Sequence, residues 1–409
     1  MPPLISPRAA ATATVVGGGP AGLMAAEVLA THGCTVTIFE HMPSVGRKFL
    51  LAGRGGLNIT HSEPVEQIIA RYGPSAERLA AAVHAFGPTE LRAWCAGLGQ
   101  PTFVGTSGRV FPQAFRATPL LRAWLQRLAL LGVTVETRHR WLGFVGKTGS
   151  RFARADGTAF EVHSDVTVLA FGGASWPRVG SDGGWVAGVR ESGIAVRDLR
   201  PANGGVQVEW SDDFARRFEG VPLKNVAVAV AEVSVRGDAM VTRAGLEGGP
   251  VYAHSAAIRE ALDTGGRCAV AVDLHPDLTL SQVRDRLARR RQKESLSTLL
   301  PRLGLNRVAI ALMRERTQNR LPADSTALAA LVKSVPLVVV AAMPIARAIS
   351  TAGGIAFSEL DPSFMLLRRP GTFVAGEMLD WEAPTGGYLL QASFSTAVAA
   401  ANGAISWLT

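Results

Sequence analysis

The sequence predicts an α/β protein, built on a Rossmann-like dinucleotide-binding domain that a long insertion interrupts. Three observations carry this. Gly17, Gly19 and Gly22 form G-x-G-x-x-G between a short apolar run and a helical pattern, with an acid, Glu40, 18 residues after Gly22. From about 195 to 335 the pattern turns β-rich, then helical and basic. From 351 onward glycine-punctuated strands and an Ala-rich helix return, so the first domain reads as two pieces.

In chain order, Val15 and Val16 close the first strand. Gly17 makes the tight turn, Gly19 lets backbone approach a pyrophosphate, and Gly22 lets the helix pack on the strand. That helix, about Pro20 to His32, offers phosphate its free N–H groups and the positive end of its dipole. "CTVTIF" reads as a second strand, and Glu40 behind it can accept hydrogen bonds from ribose hydroxyls. Residues 46–60, "GRKFLLAGRGGLNIT", read as a basic, glycine-rich loop. Residues 75–99 are helical by the spacing of Leu79, Val83, Phe86, Leu91 and Trp94. "GRVFPQ" is a short strand and turn. "ATPLLRAWLQRLALLG" at 117–132 is an amphipathic helix with Thr118 as N-cap and Pro119 first. "VTVET", "RWLGFVG" and "FEV" continue in β pattern.

Later stretches decide between FAD and NAD. "DVTVLAFGGASWP" is a buried strand ending at Gly172 and Gly173, which puts backbone beside the same dinucleotide. "GTFVAGEMLD" is a strand ending at Gly376 and Glu377, an acid suited to a ribityl chain. In "PTGGYLLQASFSTAVAAANGA", Gly386 and Gly387 precede a helix whose N-terminus can stabilise the negative charge that reduction puts on a flavin. The domains expected are 1–195 with 340–409 for FAD, a β-rich insert at 196–278 and a basic helical insert at 279–339.

These stretches, with "GRKFLLAGRGGLNITH", "GRVFP" and "TAGGIAFSELDP", resemble the BaiN-like (bile-acid-oxidoreductase-like) flavoproteins. Those are NAD(P)/FAD-dependent oxidoreductases with a glutathione-reductase-type FAD fold, and the likeness spans residues 15 to 404. It implies a β-barrel-like insert and a small helical domain. It also implies cofactor contacts at matching positions. Gly17, Gly19, Pro20, Ala21 and Gly22 would hold the pyrophosphate, and Glu40 the adenosine ribose. Arg47, Lys48 and Asn58 would lie along the pyrophosphate or flavin, with Gly172 and Gly173 by the ADP half. Trp141 would offer backbone to adenine, and Gly376 and Glu377 would meet the ribityl chain. Gly387, Tyr388 and Gln391 would meet the isoalloxazine edge. Many members carry Arg-Cys-Asn where this chain has Gly56, Leu57 and Asn58, and Asn where it has Leu389; this marks a subgroup.

The function expected is FAD-dependent hydride transfer through flavin N5 to an activated C=C bond, driven by NAD(P)H. With a single G-x-G-x-x-G, NAD(P)H must dock transiently. Tyr388, Tyr252 and His254 are the candidate proton donors. Three alternatives stay open: reduction of uridine to dihydrouridine in ribosomal RNA, an oxygen-using oxidase of a small amine, and a non-catalytic flavin-binding module.

Composition bounds the rest. The 409 residues carry a net charge of +9, and Ser281–Arg320 holds eleven basic and three acidic residues, a net of +8. Within segment 283–320, "VRDRLARRRQK" places Arg286, Arg289, Arg290 and Lys293 near one helical face, which is either solvated surface or an RNA-binding face. Three cysteines in no paired spacing argue against a disulfide framework, a redox dithiol or a metal site. No apolar run reaches membrane-spanning length and the N-terminus reads as a short tail, so a cytoplasmic protein with a small-molecule or RNA substrate and no membrane partner is expected. The oligomeric state is left open.

Overall fold

The computed structural model describes residues 10–289 and 294–409, so Arg290 and Lys293 lie outside the described residues. The chain divides into two compact units.

The first unit comprises residues 10–200 and 350–409. Its centre is a five-stranded parallel sheet in the order Thr372–Val374, Val166–Leu169, Thr12–Val16, Thr35–Glu40, Thr134–Thr137. Val15 pairs with Val168 on one side and Ile38 on the other, and all three are fully buried, as a doubly covered parallel sheet requires. The first helix, Pro20–Thr31, packs against the C-terminal helix, Tyr388–Leu408. Smaller antiparallel sheets flank this core, one of them formed by Thr60–His61, Arg109–Pro112 and Thr102–Val104.

Several expected elements differ in detail. The helix expected over 75–99 is two, Ala76–Ala85 and Pro88–Gly97, because Pro88 has no N–H to continue a helix and starts the second one instead. The loop expected over 46–60 contains a helix, Arg47–Ala52, which Gly46 starts from a left-handed conformation. The helix expected to be capped by Thr118 and to start at Pro119 begins two residues earlier, at Ala117, with Arg116 in the N-cap position.

The second unit comprises residues 201–349. Six strands close into a barrel in the order Val206–Val208, Gly245–Gly248, Val233–Thr242, Pro222–Val230, Cys268–Asp273, Val335–Ala342. Barrel residues such as Leu223, Val241 and Val272 share one hydrophobic core with helix residues such as Val283, Leu300, Leu312 and Leu328. The boundary expected at 278/279 therefore falls inside a single core. Residues 340–342, expected in the FAD domain, belong to the strand that closes the barrel.

Candidate functional site

The site begins at the first strand–helix turn. Gly17 has φ +107°, and a Cβ there would lie 2.3 Å from the Ala170 carbonyl oxygen. A Cβ on Gly22 would lie 1.8 Å from the Gly17 oxygen, so this glycine lets helix and strand close up. Gly19 differs: a Cβ on it would meet no atom within 4 Å. It opens a cradle at the N-terminus of the helix that Pro20 and Ala21 begin, where unpaired N–H groups collect. Gly376, at φ +79°, comes so near that its Cβ would lie 2.7 Å from that of Ala21.

Glu40 is buried, and its carboxylate accepts from the Gly18 N–H (2.7 Å) and the Met42 N–H (2.8 Å), with His41 Nδ1 at 3.1 Å. Burial alone would push its carboxyl up, but these hydrogen bonds outweigh it and hold the group below the usual carboxylate range. An ionised acceptor at the end of the second strand suits ribose hydroxyls.

A second cluster gathers distant segments. Lys48 Nζ donates to Glu377 Oε2 at 2.6 Å and to Ser175 Oγ at 2.7 Å. The Thr351 N–H donates to Glu377 Oε1 at 3.0 Å. Gly173 presses on Thr351, and Gly172, at φ +75°, leaves Ser181 and Glu377 3.8 and 4.0 Å from where its Cβ would be. Arg47 Nη1 donates to Ser44 Oγ at 3.3 Å. Arg47 Nε, Asn58 Oδ1 and Ser181 Oγ are buried without a hydrogen-bond partner among the described residues. Each such atom costs about 1–3 kcal/mol unless something satisfies it. Two potential donors and an acceptor, with an open glycine cradle and an ionised acid, are the polar complement of a dinucleotide. The residues present fit FAD.

The third cluster sits at the start of the C-terminal helix. Gly387, at φ +101°, rests on Thr60, whose backbone atoms would lie 2.5–2.6 Å from a Cβ there. Tyr388 follows, buried, its ring stacked on His61 with centroids 5.4 Å apart. Its hydroxyl is pushed up to about 12, first by burial and then by Glu63, so it stays protonated at neutral pH.

The side chains of the remaining expected residues have partners of their own. Gln391 is fully buried with its amide committed inside the protein: Oε1 accepts from Thr60 Oγ1 at 2.6 Å, and Nε2 donates to the Phe86 carbonyl at 2.8 Å and to Ser395 at 3.0 Å. The Trp141 indole packs with Phe144 and Phe171 and donates to Ser150 Oγ at 3.3 Å. Tyr252 and His254 belong to the second unit. His254 is buried with Nε2 2.9 Å from the Val228 carbonyl, a tie within the barrel. Burial, then Glu247, raises the Tyr252 hydroxyl. Sequence reasoning missed Glu63, Arg71, Ser175, Ser181 and Thr351. Ser175 and Ser181 do sit in the "FGGASWPRVGSDG" stretch that drew attention for its glycines.

Among the described residues no group of His, Cys, Asp or Glu could hold a metal ion, and no helix is long and apolar enough to cross a membrane. Residues 11–403 match the family described as "HI0933-like protein Rossmann domain". The chain is 27% identical to the 3-dehydro-bile acid delta(4,6)-reductase of Clostridium scindens over 93% of its own length and 96% of that protein's. Two solved structures share the fold. One is the 3-ketosteroid-delta4-(5alpha)-dehydrogenase of Rhodococcus jostii RHA1, with TM-score 0.51, 16% identity and 98% of each chain covered. The other is the 3-ketosteroid delta1-dehydrogenase of Sterolibacterium denitrificans, with TM-score 0.53, 14% identity, and 97% of this chain and 99% of that one covered. The chain belongs to the HI0933-like family and is a flavin-dependent oxidoreductase built on a Rossmann dinucleotide fold.

Proposed function

We propose that this protein is an FAD-dependent reductase of an activated C=C bond in an apolar, steroid-like 3-oxo substrate, with NAD(P)H as transient reductant. The observation that carries the reading is that one unit holds the open Gly19 cradle, the buried unpartnered atoms of Arg47, Asn58 and Ser181, and a protonated Tyr388. The substrate class extends from the bile acid reductase that shares 27% of its residues with this chain.

Gly17, Gly19, Pro20, Ala21 and Gly22 would hold the pyrophosphate, Glu40 the ribose, and Arg47, Lys48, Asn58, Gly172, Gly173, Gly376 and Glu377 the middle of the cofactor. Bound FAD would supply hydride chemistry that no side chain can. The N-terminus of the C-terminal helix, with Gly387 and Tyr388, would favour negative charge on the group it faces. Tyr388 is the acid: it keeps its proton at neutral pH and can release it to a substrate carbon. The Lys48–Glu377 pair fixes both side chains in one orientation and leaves neither charge uncompensated.

Anaerobic turnover tests this. NAD(P)H and a 3-oxo-4,6-diene steroid acid should give the saturated product with loss of two equivalents of reductant, one for each C=C bond. Hydrogen peroxide release with amines when the assay is repeated in air, and no reduction of the diene, would favour an oxidase. A flavin that no reductant or substrate alters would favour a binding module.

A second reading keeps the chemistry and changes the substrate to a uridine in structured RNA. One observation favours it: in the helix Leu280–Ala288, Val283 and Leu287 enter the core while Arg284, Arg286 and the following Arg289 stay exposed. Arg286→Glu with Arg289→Glu should abolish RNA binding and leave steroid turnover unchanged. RNA binding that survives the double substitution counts against this reading.

A further inference from the structure

The corner around Tyr388 holds a charge arrangement that the reaction above leaves unused. Arg71, at the end of the helix Val65–Ala70, grips Glu63 with both arms: Nε donates to Oε1 at 3.1 Å and Nη2 to Oε2 at 3.0 Å. Its guanidinium lies 5.7 Å from the centroid of the Tyr388 ring, which puts that ring beside the Arg71–Glu63 pair. From the strand Thr60–His61, His61 stacks on the same ring, but its nitrogens are engaged elsewhere. Nδ1 lies 3.2 Å from the Glu63 backbone nitrogen and 3.7 Å from Glu63 Oε2, and Nε2 lies 3.0 Å from the Ser107 carbonyl. Tyr72 donates its hydroxyl to the Tyr388 carbonyl at 2.9 Å, so it holds the backbone rather than the phenol.

We propose that Glu63 and Arg71 are positioning residues for Tyr388: Arg71 fixes the Glu63 carboxylate, which orients the Tyr388 hydroxyl and keeps its proton on oxygen until a substrate takes it. This rests on Tyr388 being the acid of the reaction above. In that step the Oη–H bond breaks and its electron pair stays on Oη. The proton bonds to the substrate carbon that holds the electron pair released from the C=C bond. The phenolate faces the Arg71 guanidinium, which stabilises it, and Glu63, which drives it to recover a proton from water. The directions agree. Hydrogen bonds from Arg71 hold the Glu63 carboxyl below its ordinary range. Burial and Glu63 raise the Tyr388 hydroxyl, against the pull of Arg71.

The chain has three tyrosines. Holoprotein labelled with carbon-13 at tyrosine Cζ lets each ionisation be followed by NMR, with Tyr388→Phe for assignment. Glu63→Gln should bring the Tyr388 titration down by about one pH unit, and Arg71→Met should move it up. In turnover, Glu63→Gln should lower the basic limb of the kcat/KM profile by a similar amount. A purely structural pair would shift both variants the same way or neither, and that result overturns the proposal. If Glu63→Gln does not fold, Glu63→Asp, which should titrate like the parent, and Arg71→Met still decide it: a fall in the Arg71→Met titration overturns it. The NMR titration needs no substrate, so its failure leaves the reductase reading standing. Failure of diene reduction alone leaves the titration result standing.

Discussion

Glycine and carboxylate positions carry the first expectations at the scale of single residues. Gly17→Ala places a Cβ 2.3 Å from the Ala170 oxygen at φ +107°, so it should cost at least about 1–2 kcal/mol of left-handed strain. FAD retention through gel filtration should fall at least about tenfold in affinity terms. Glu40 makes a pH prediction. Its folded value lies below the ordinary 4.5, so its contribution to stability is complete above that value and is lost as pH falls through the folded one. Glu40→Gln should therefore lower stability at pH 7 and flatten the acid limb of a thermal-melt series between pH 5 and pH 3, approximate bounds set by the carboxylate range. Gly17, Gly22 and Gly387 were legible in the sequence because each answers a backbone demand that no other residue meets. Gln391 was not, since its partner Thr60 lies 331 residues away and no local pattern announces that bond. Glu63 and Arg71 were missed for a related reason: only the fold brings Tyr388 to them.

Elements respond to caps, breaks and buried charge. Strand and helix periodicity made the central β-α-β unit readable, and Pro88 marks a break that apolar spacing alone ran through. The first helix carries a feature that hydrophobic periodicity hides. Glu27 is buried on it, accepting from Arg127 Nη1 at 2.9 Å and from Trp94 Nε1 at 3.1 Å. This ties the nucleotide helix to the helices Pro88–Gly97 and Ala117–Leu130. Arg127→Met leaves that carboxylate buried with one neutral donor and should cost about 3 kcal/mol in urea unfolding. Replacing Glu27 and Arg127 together with Leu and Met should recover most of the loss. Equal losses in the single and double variants would show that the ion pair is not what holds the helix.

For the whole molecule, the two-piece first domain was readable from the return of glycine-rich strands after residue 351. The unity of the insert was not, because composition shifts sharply at 279 while the core does not. Leu312 is fully buried among residues from both the barrel and the helices. Leu312→Ala should cost about 3 kcal/mol and lower hydrogen-exchange protection in the strand Val335–Ala342 as much as in its own helix. Protection lost in the helices alone would mean two separate folding units. Binding of FAD for turnover by the first unit is read in the visible spectrum of the purified protein, followed as NADPH and then NADH are added without oxygen. Flavin bands that bleach with either nucleotide and return when the 3-oxo diene is added are the predicted result. A colourless protein that does not take up added FAD would contradict it.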